Sequence, residues 1–178
     1  MIEVEVRGFL SKEEFETKLK EFQKISSSFE EDHRDTTFFM LPEATLKVTK
    51  MKSKNQSKIS YKSGDIVSSV GQEEVELLIP ITDYDKAVLI FTKLGLTDKQ
   101  ITEQIRYNFN IDGFEVSLKW SKDWEYHFEV EKLVNDRSQM DNINSEIKEF
   151  CSKFKLKPLS EEEFLSFREK VDSNHRSS

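Results

Sequence analysis

Two short acidic alternations carry residues that could do chemistry. Residues 2–7 read Ile-Glu-Val-Glu-Val-Arg, and residues 126–131 read Tyr-His-Phe-Glu-Val-Glu. Alternation with period two is the pattern of a β-strand with unlike faces. Glu3, Glu5 and Arg7 therefore share one face of a strand, and His127, Glu129 and Glu131 share one face of another. Carboxylates this close repel one another, and like charges opposed across strands weaken pairing. Water, a divalent cation or basic side chains must offset them.

The rest of the chain has to position these pairs. At 178 residues it fits one domain, expected over 1–171, with 172–178 as a polar tail. A hydrophobic content of 36%, including 14 Phe, is enough for a core. The net charge of −7 argues against general nucleic-acid binding, which favours a basic surface, but leaves room for a basic pocket. A lone cysteine, Cys151, rules out an intrachain disulfide and argues against a cysteine zinc site. Glu3 and Glu5 interrupt any apolar leader, and no stretch is long enough to span a membrane, so a cytoplasmic protein without membrane contact is expected.

Ser11-Lys-Glu-Glu14 reads as a capping box, with Phe15, Leu19 and Phe22 at helical spacing as far as Lys24. A loop is expected at 26–28. Strands are expected at 35–41, 46–49, 58–62, 74–77, 104–109, 116–120 and 124–131, with turns at 52–57, 63–65 and 68–71. Asp83 or Thr82 can cap a helix that ends at Gly95, and Asp112-Gly113 is a hairpin signal. Met140, Ile143, Ile147, Phe150 and Phe154 space as a further helix. Ser160 to Glu163 forms a second capping box, ahead of Phe164, Phe167 and Val171.

The polar parity of these strands collects Lys47, Thr49, Lys58, Ser60, Lys62, Glu74, Glu76, Gln104, Arg106, Asn108, Glu115, Ser117 and Lys119 beside the two acidic alternations. From periodicity alone, an open antiparallel sheet with one wet face is the simpler reading. If the strands instead close into a barrel with the charged face inward, the lumen holds acids and bases in low dielectric. It could then bind a divalent cation through carboxylates and a polyphosphate through Lys and Arg.

Glu3-x-Glu5-x-Arg7 resembles the E-x-E-x-K signature of CYTH proteins, the triphosphate tunnel metalloenzymes, among them class IV adenylyl cyclases and thiamine and inorganic triphosphatases. Leu46-Lys-Val-Thr49 resembles their L-R-x-R strand, and Lys58 to Lys62 their strand ending in Lys. Glu74-x-Glu76, the Leu94-Gly95 helix end, Arg106, Glu129-Val-Glu131 and Lys157 to Ser160 with Phe164 fall in family order. The resemblance implies an α+β protein with a closed eight-stranded antiparallel β-barrel and flanking helices. It implies Mg2+ or Mn2+ held by Glu3, Glu5, Glu129 and Glu131, with Glu76 next. It implies that Arg7, Lys47, Lys62 and Arg106 grip a small-molecule triphosphate or nucleotide, with Arg7, Lys62 and Arg106 as the catalytic cations.

The chain departs from the pattern in several places. Arg7 stands for Lys, Thr49 for the second Arg, Lys119 for an acid, and Glu103-Gln-Ile105 for a basic run. Lys58 and Lys119 are the expected substitutes. Hydrolysis is favoured over cyclisation to cyclic AMP, with binding without turnover as the further alternative, and the choice between monomer and homodimer is left open. His127 is expected to be simply hydrogen-bonded, and Asp32 to Arg34 to lie in a solvated loop. Asp35 occupies a position where the family often carries an acid. Trp120 and Trp124 are expected to pack outside the barrel wall.

Overall fold

The computed structural model describes residues 2–41, 44–63 and 73–167. The elements expected at 64–65, 68–71 and 172–178 lie outside the described residues, as does Val171. Eight strands form one antiparallel sheet: β1 (Ile2–Phe9), β2 (Ser28–Met40), β3 (Ala44–Met51), β4 (Gln56–Ser63), β5 (Glu73–Pro80), β6 (Lys99–Ile111), β7 (Phe114–Ser121) and β8 (Glu125–Val134). Their order across the sheet is β1-β8-β7-β6-β2-β3-β4-β5. Helices α1 (Lys12–Ile25), α2 (Tyr84–Lys93) and α3 (Met140–Lys153) come after β1, β5 and β8 in the chain; α1 packs on β6 and β8, α2 on β3 and β4, and α3 on β1 and β8. A fourth helix, α4, spans residues 161–167. None of the described helices is long and apolar enough to cross a membrane.

Local signals set these elements. Ser11 accepts from the Glu14 amide at 3.2 Å while Glu14 accepts from the Ser11 amide at 2.7 Å, so the first capping box closes and starts α1. Ser160 and Glu163 make the same reciprocal pair before α4. Asp83 stands at the start of α2 as expected but caps it without a side-chain hydrogen bond. Asp112 and Gly113 both have positive φ, 53° and 80°, the conformation a two-residue hairpin turn demands between β6 and β7.

The apolar parity of the strands faces outward onto the helices. Val4, Val116, Leu118, Phe128 and Val130 pack with Phe22 of α1 and Ile147 and Phe150 of α3 in one buried cluster. Phe39, Leu46 and Val48 pack with Tyr84 and Ala87 of α2 in a second. Truncating a side chain such as Phe22, wholly buried, costs about 3–5 kcal/mol. The helices thus cover the convex side, and the charged parity is left to the concave side.

The sheet is curled into a half-barrel. Among the described residues, β1 has a ladder partner only in β8 and β5 only in β4, so of the closed barrel expected from the sequence the described residues form the half-barrel. An ion pair between long side chains, Lys62 of β4 with Glu3 of β1 at 3.0 Å, spans between the two ends where a backbone ladder would have closed it.

The segment expected as a solvated loop is strand. β2 starts at Ser28, and its polar first half pairs with β6 along its length, Glu30 with Asn108, Asp32 with Arg106 and Arg34 with Gln104. Glu30, Asp32 and Arg34 point to the concave side, while Asp35 points away and pairs with Lys52 at 2.6 Å. Both faces of this stretch are polar, so no hydrophobic alternation marks it.

Candidate functional site

The concave face gathers most of the residues singled out by their spacing. In the β1–β8 register, Glu5 stands opposite Glu131, Arg7 opposite Glu129 and Phe9 opposite His127. Glu131 stands opposite Glu115 of β7, Glu129 opposite Ser117 and His127 opposite Lys119. Lys119 in turn faces Arg106 of β6, which faces Asp32 of β2.

Three carboxylates meet. Oxygens of Glu3, Glu5 and Glu131 all lie within 4.8 Å of one another, each on a half-buried side chain. Their electrostatics diverge. Burial works against the ionised form of Glu5, but Arg7, Lys119 and Lys62 outweigh it and hold its pKa at about 2. Burial, followed by Glu3, pushes Glu131 up to about 7, with Lys119 opposing. One group of the three is firmly anionic and another titrates near neutral pH, the pattern of like charges sharing a small volume.

The other two expected metal ligands are placed elsewhere. Glu129 is ion-paired with Lys119. Glu76 stands across the sheet on β5, where it accepts from Lys58 and, at 3.1 Å, from Ser60. Neither joins the Glu3, Glu5 and Glu131 group.

The cations surround this group. Arg7 donates from Nη2 to Glu5 at 2.6 Å, and its guanidinium lies 4.5 Å from the ring centre of Phe164 on α4. Lys62 donates to Glu3. Arg106 donates from Nη2 to Ser117 Oγ at 2.7 Å and from Nε to Asn108 Oδ1 at 3.2 Å. Burial lowers the pKa of Arg106, and Glu131, Glu5, Asp32 and Glu3 support its charge, which ties it electrostatically to all three carboxylates. Lys119 is 4% exposed; burial and then Arg106 push its pKa well down, while Glu5 and Glu131 favour its charge. Lys47 lies on the same parity of β3, opposite Ser60.

An aromatic cluster adjoins the Phe9 end of β1. Phe9, Phe167 and Trp124 pack on one another in tilted and edge-on pairs, with Trp124 also against Phe164 and His127. Trp124 therefore joins the concave parity of β1 and β8 to α4, a role the sequence reading of an outer-wall tryptophan missed. The same segment is tied to β1 where the Leu159 amide donates to the Arg7 carbonyl at 2.8 Å. His127 is 5% exposed, and its Nδ1 lies 3.1 Å from the Glu125 carbonyl. Burial, and then Lys119, push it down to about 3, so it is a neutral, hydrogen-bonded imidazole.

Sequence reasoning named the Asp32 to Asp35 cluster but favoured a solvated loop for Arg34, whose Nε donates to the fully buried Asp32 at 2.5 Å on the same concave face. The i, i+2 spacing of Glu30, Asp32 and Arg34 was the only signal available, masked by equally polar neighbours between them.

Comparison with known proteins places this geometry. A CYTH domain model matches residues 1–164. The PH1819 protein from Pyrococcus horikoshii OT3 is 18% identical over 93% of this chain and 99% of that chain, with a TM-score of 0.71. A candidate adenylate cyclase from Vibrio parahaemolyticus is 15% identical, with 93% and 98% covered and a TM-score of 0.66. HpAC1 from Hippeastrum, a candidate adenylyl cyclase whose structure is described as revealing a dominant triphosphatase activity, is 13% identical, with 95% of each chain covered and a TM-score of 0.63. At these identities the structural likenesses establish the fold alone. No curated protein matches the sequence.

Proposed function

Because this chain belongs to the CYTH domain family, we propose that it is a divalent-metal-dependent enzyme acting on a small molecule that carries a triphosphate, with hydrolysis favoured over cyclisation. The observation that carries this reading is the meeting of Glu3, Glu5 and Glu131 within 4.8 Å on a concave face that also presents Arg7, Lys62, Arg106 and Lys119. A set of hard carboxylate oxygens suits Mg2+ or Mn2+. The set also fits on energetic grounds, since burial and then its acidic neighbours push Glu131 up to about 7 and a divalent charge would relieve the repulsion.

Each residue has a part. Glu3, Glu5 and Glu131 would hold the metal, which when bound would polarise phosphoryl oxygens and orient an attacking water. Arg106 and Lys62 would bind phosphate oxygens and oppose the charge that develops during transfer. Arg7 is steadied by Glu5 on one side and Phe164 on another, a fixed guanidinium aimed by its own neighbours. Lys58, Lys119 and Lys47 add positive potential along the sheet, with Lys119 and Lys58 already paired to Glu129 and Glu76. The wall of Phe9, Trp124 and Phe167 would keep water from one end of the site.

A second reading, binding without turnover, is favoured by one position. Thr49 stands where the family pattern has an arginine, and it is hydrogen-bonded to Thr36 at 3.1 Å in a buried pair. The test is turnover of tripolyphosphate, thiamine triphosphate and ATP with Mg2+ or Mn2+, scored for phosphate, pyrophosphate and cyclic AMP. Phosphate release that disappears in Glu3→Ala with Glu5→Ala supports hydrolysis. Tight binding with no product supports the second reading. Neither binding nor product removes both.

A further inference from the structure

We propose that Arg34 grips the same anion as Arg106 in the concave site, and that Asp32 holds its guanidinium in position to do so. This deepens the triphosphate reading and rests on it, adding a cation from β2, a strand from which none of the expected clamps came.

Arg34 stands on the concave parity of β2, next to Asp32 along the strand's inward face, and Asp32 stands opposite Arg106 in the β2–β6 register. Its side chain is 13% exposed, and its Nε donates to Asp32 Oδ2. Its two Nη groups make no hydrogen bond among the described residues. Asp32 is wholly buried and its second oxygen, Oδ1, has no hydrogen-bond partner among the described residues. The Asp32 carboxylate is hydrogen-bonded to Arg34 alone among the described residues and supports the charge of Arg106, which faces it across the β2–β6 register. Burial, and next to it the charge of Arg106, lower the pKa of Arg34, which puts the two cations in each other's field in a half-dry cleft.

One carboxylate beside two guanidiniums leaves a net positive charge, which a further anion would neutralise. The planar fork of each suits a phosphoryl group, which accepts two parallel hydrogen bonds. Arg106 connects the pair to the Glu3, Glu5 and Glu131 group, because all three carboxylates act on its charge. An anion on Arg34 and Arg106 is therefore part of the same site. The placement also accounts for the lost arginine of β3. Thr49 faces Thr36, and Arg34 is the next inward-facing residue of β2 after Thr36. A cation missing from one strand is supplied by its neighbour. If Arg34 were only the counter-ion of Asp32, its Nε alone would meet that need and its loss would leave anion binding unchanged.

The experiment is calorimetric titration of the full chain with tripolyphosphate. Arg34→Ala is expected to weaken binding by about 10- to 100-fold, the loss of one charge-assisted contact. Arg34→Lys is expected to fall between this and the parent. Because Arg34→Ala strands a buried carboxylate, Asp32→Asn with Arg34→Gln keeps a neutral hydrogen-bonded pair and serves as the folded control, with the same loss expected. Combining Arg34→Gln and Asp32→Asn with Arg106→Gln should weaken binding by less than the product of the separate effects, since both cations hold one anion. A folded Asp32→Asn, Arg34→Gln protein that binds tripolyphosphate as the parent does would overturn the assignment and leave the triphosphate reading standing. A parent chain that binds no tripolyphosphate would overturn both.

Discussion

Lys62 reaches Glu3 at 3.0 Å, although Lys62 stands on β4 near one edge of the sheet and Glu3 on β1 at the other. Both side chains are about one-fifth exposed. The pair reports the curl of the sheet, since strands at opposite ends of a flat sheet could not place their side chains in contact. It also brings a cation to the carboxylate group that needs one.

Replacing Lys62 by Met should destabilise the chain by about 1–3 kcal/mol, between the values for exposed and buried ion pairs. The loss should be larger in low salt. Adding Glu3→Gln should recover part of it, because the stranded carboxylate is then gone. Urea midpoints of the parent, the two single variants and the double variant form the cycle that checks this. Strict additivity would contradict the contact.

Gly8→Ala should be strongly destabilising. A Cβ there would lie 2.3 Å from the Lys157 carbonyl oxygen and 2.5 Å from the Phe128 ring. The backbone contact cannot yield as a flexible side chain would, so the cost falls at or above the ~1–3 kcal/mol of ordinary overpacking. The same change should loosen residues 157–167 from β1, read as faster proteolysis near Leu159 under native conditions. Unchanged melting and unchanged proteolysis would contradict the close approach.

The buried imidazole of His127 makes a pH prediction. Its folded-state pKa of about 3 lies below the ordinary 6.5, with burial first and then Lys119, Arg106 and Arg7 as causes. Between those values the unfolded chain binds the extra proton, so His127 contributes stability that is fully present above pH 6.5 and is lost as pH falls toward 3. His127→Gln should therefore show a shallower loss of stability between pH 6.5 and 4 than the parent, measured as urea midpoints against pH. Parallel curves would contradict a neutral buried imidazole.

How far the sequence reveals this fold follows from what alternation encodes. Period-two patterns place Glu3, Glu5 and Arg7 on one face, and Glu129 and Glu131 on one face, because one side of each strand is apolar. The capping boxes at Ser11 and Ser160 are legible because both partners are local. Alternation does not encode curvature, so it could not tell a half-barrel from a closed barrel or an open sheet. Nor could it show that Glu129 pairs with Lys119 while Glu131 joins Glu3 and Glu5, a choice made by strand register. The first half of β2 was hidden because Glu31 and His33 are as polar as Asp32 and Arg34, so burial of Asp32 left no trace in hydrophobicity.

The central claim is a divalent-cation site made by Glu3, Glu5 and Glu131. Titration of Mn2+ into the full chain, followed by loss of the free-ion electron paramagnetic resonance signal, reads that site without requiring turnover. The account predicts uptake of Mn2+ by the parent chain and its loss in Glu5→Gln with Glu131→Gln, with Glu76→Gln binding as the parent does. Equal uptake by the parent and the Glu5→Gln, Glu131→Gln protein, or no uptake by either, would contradict it.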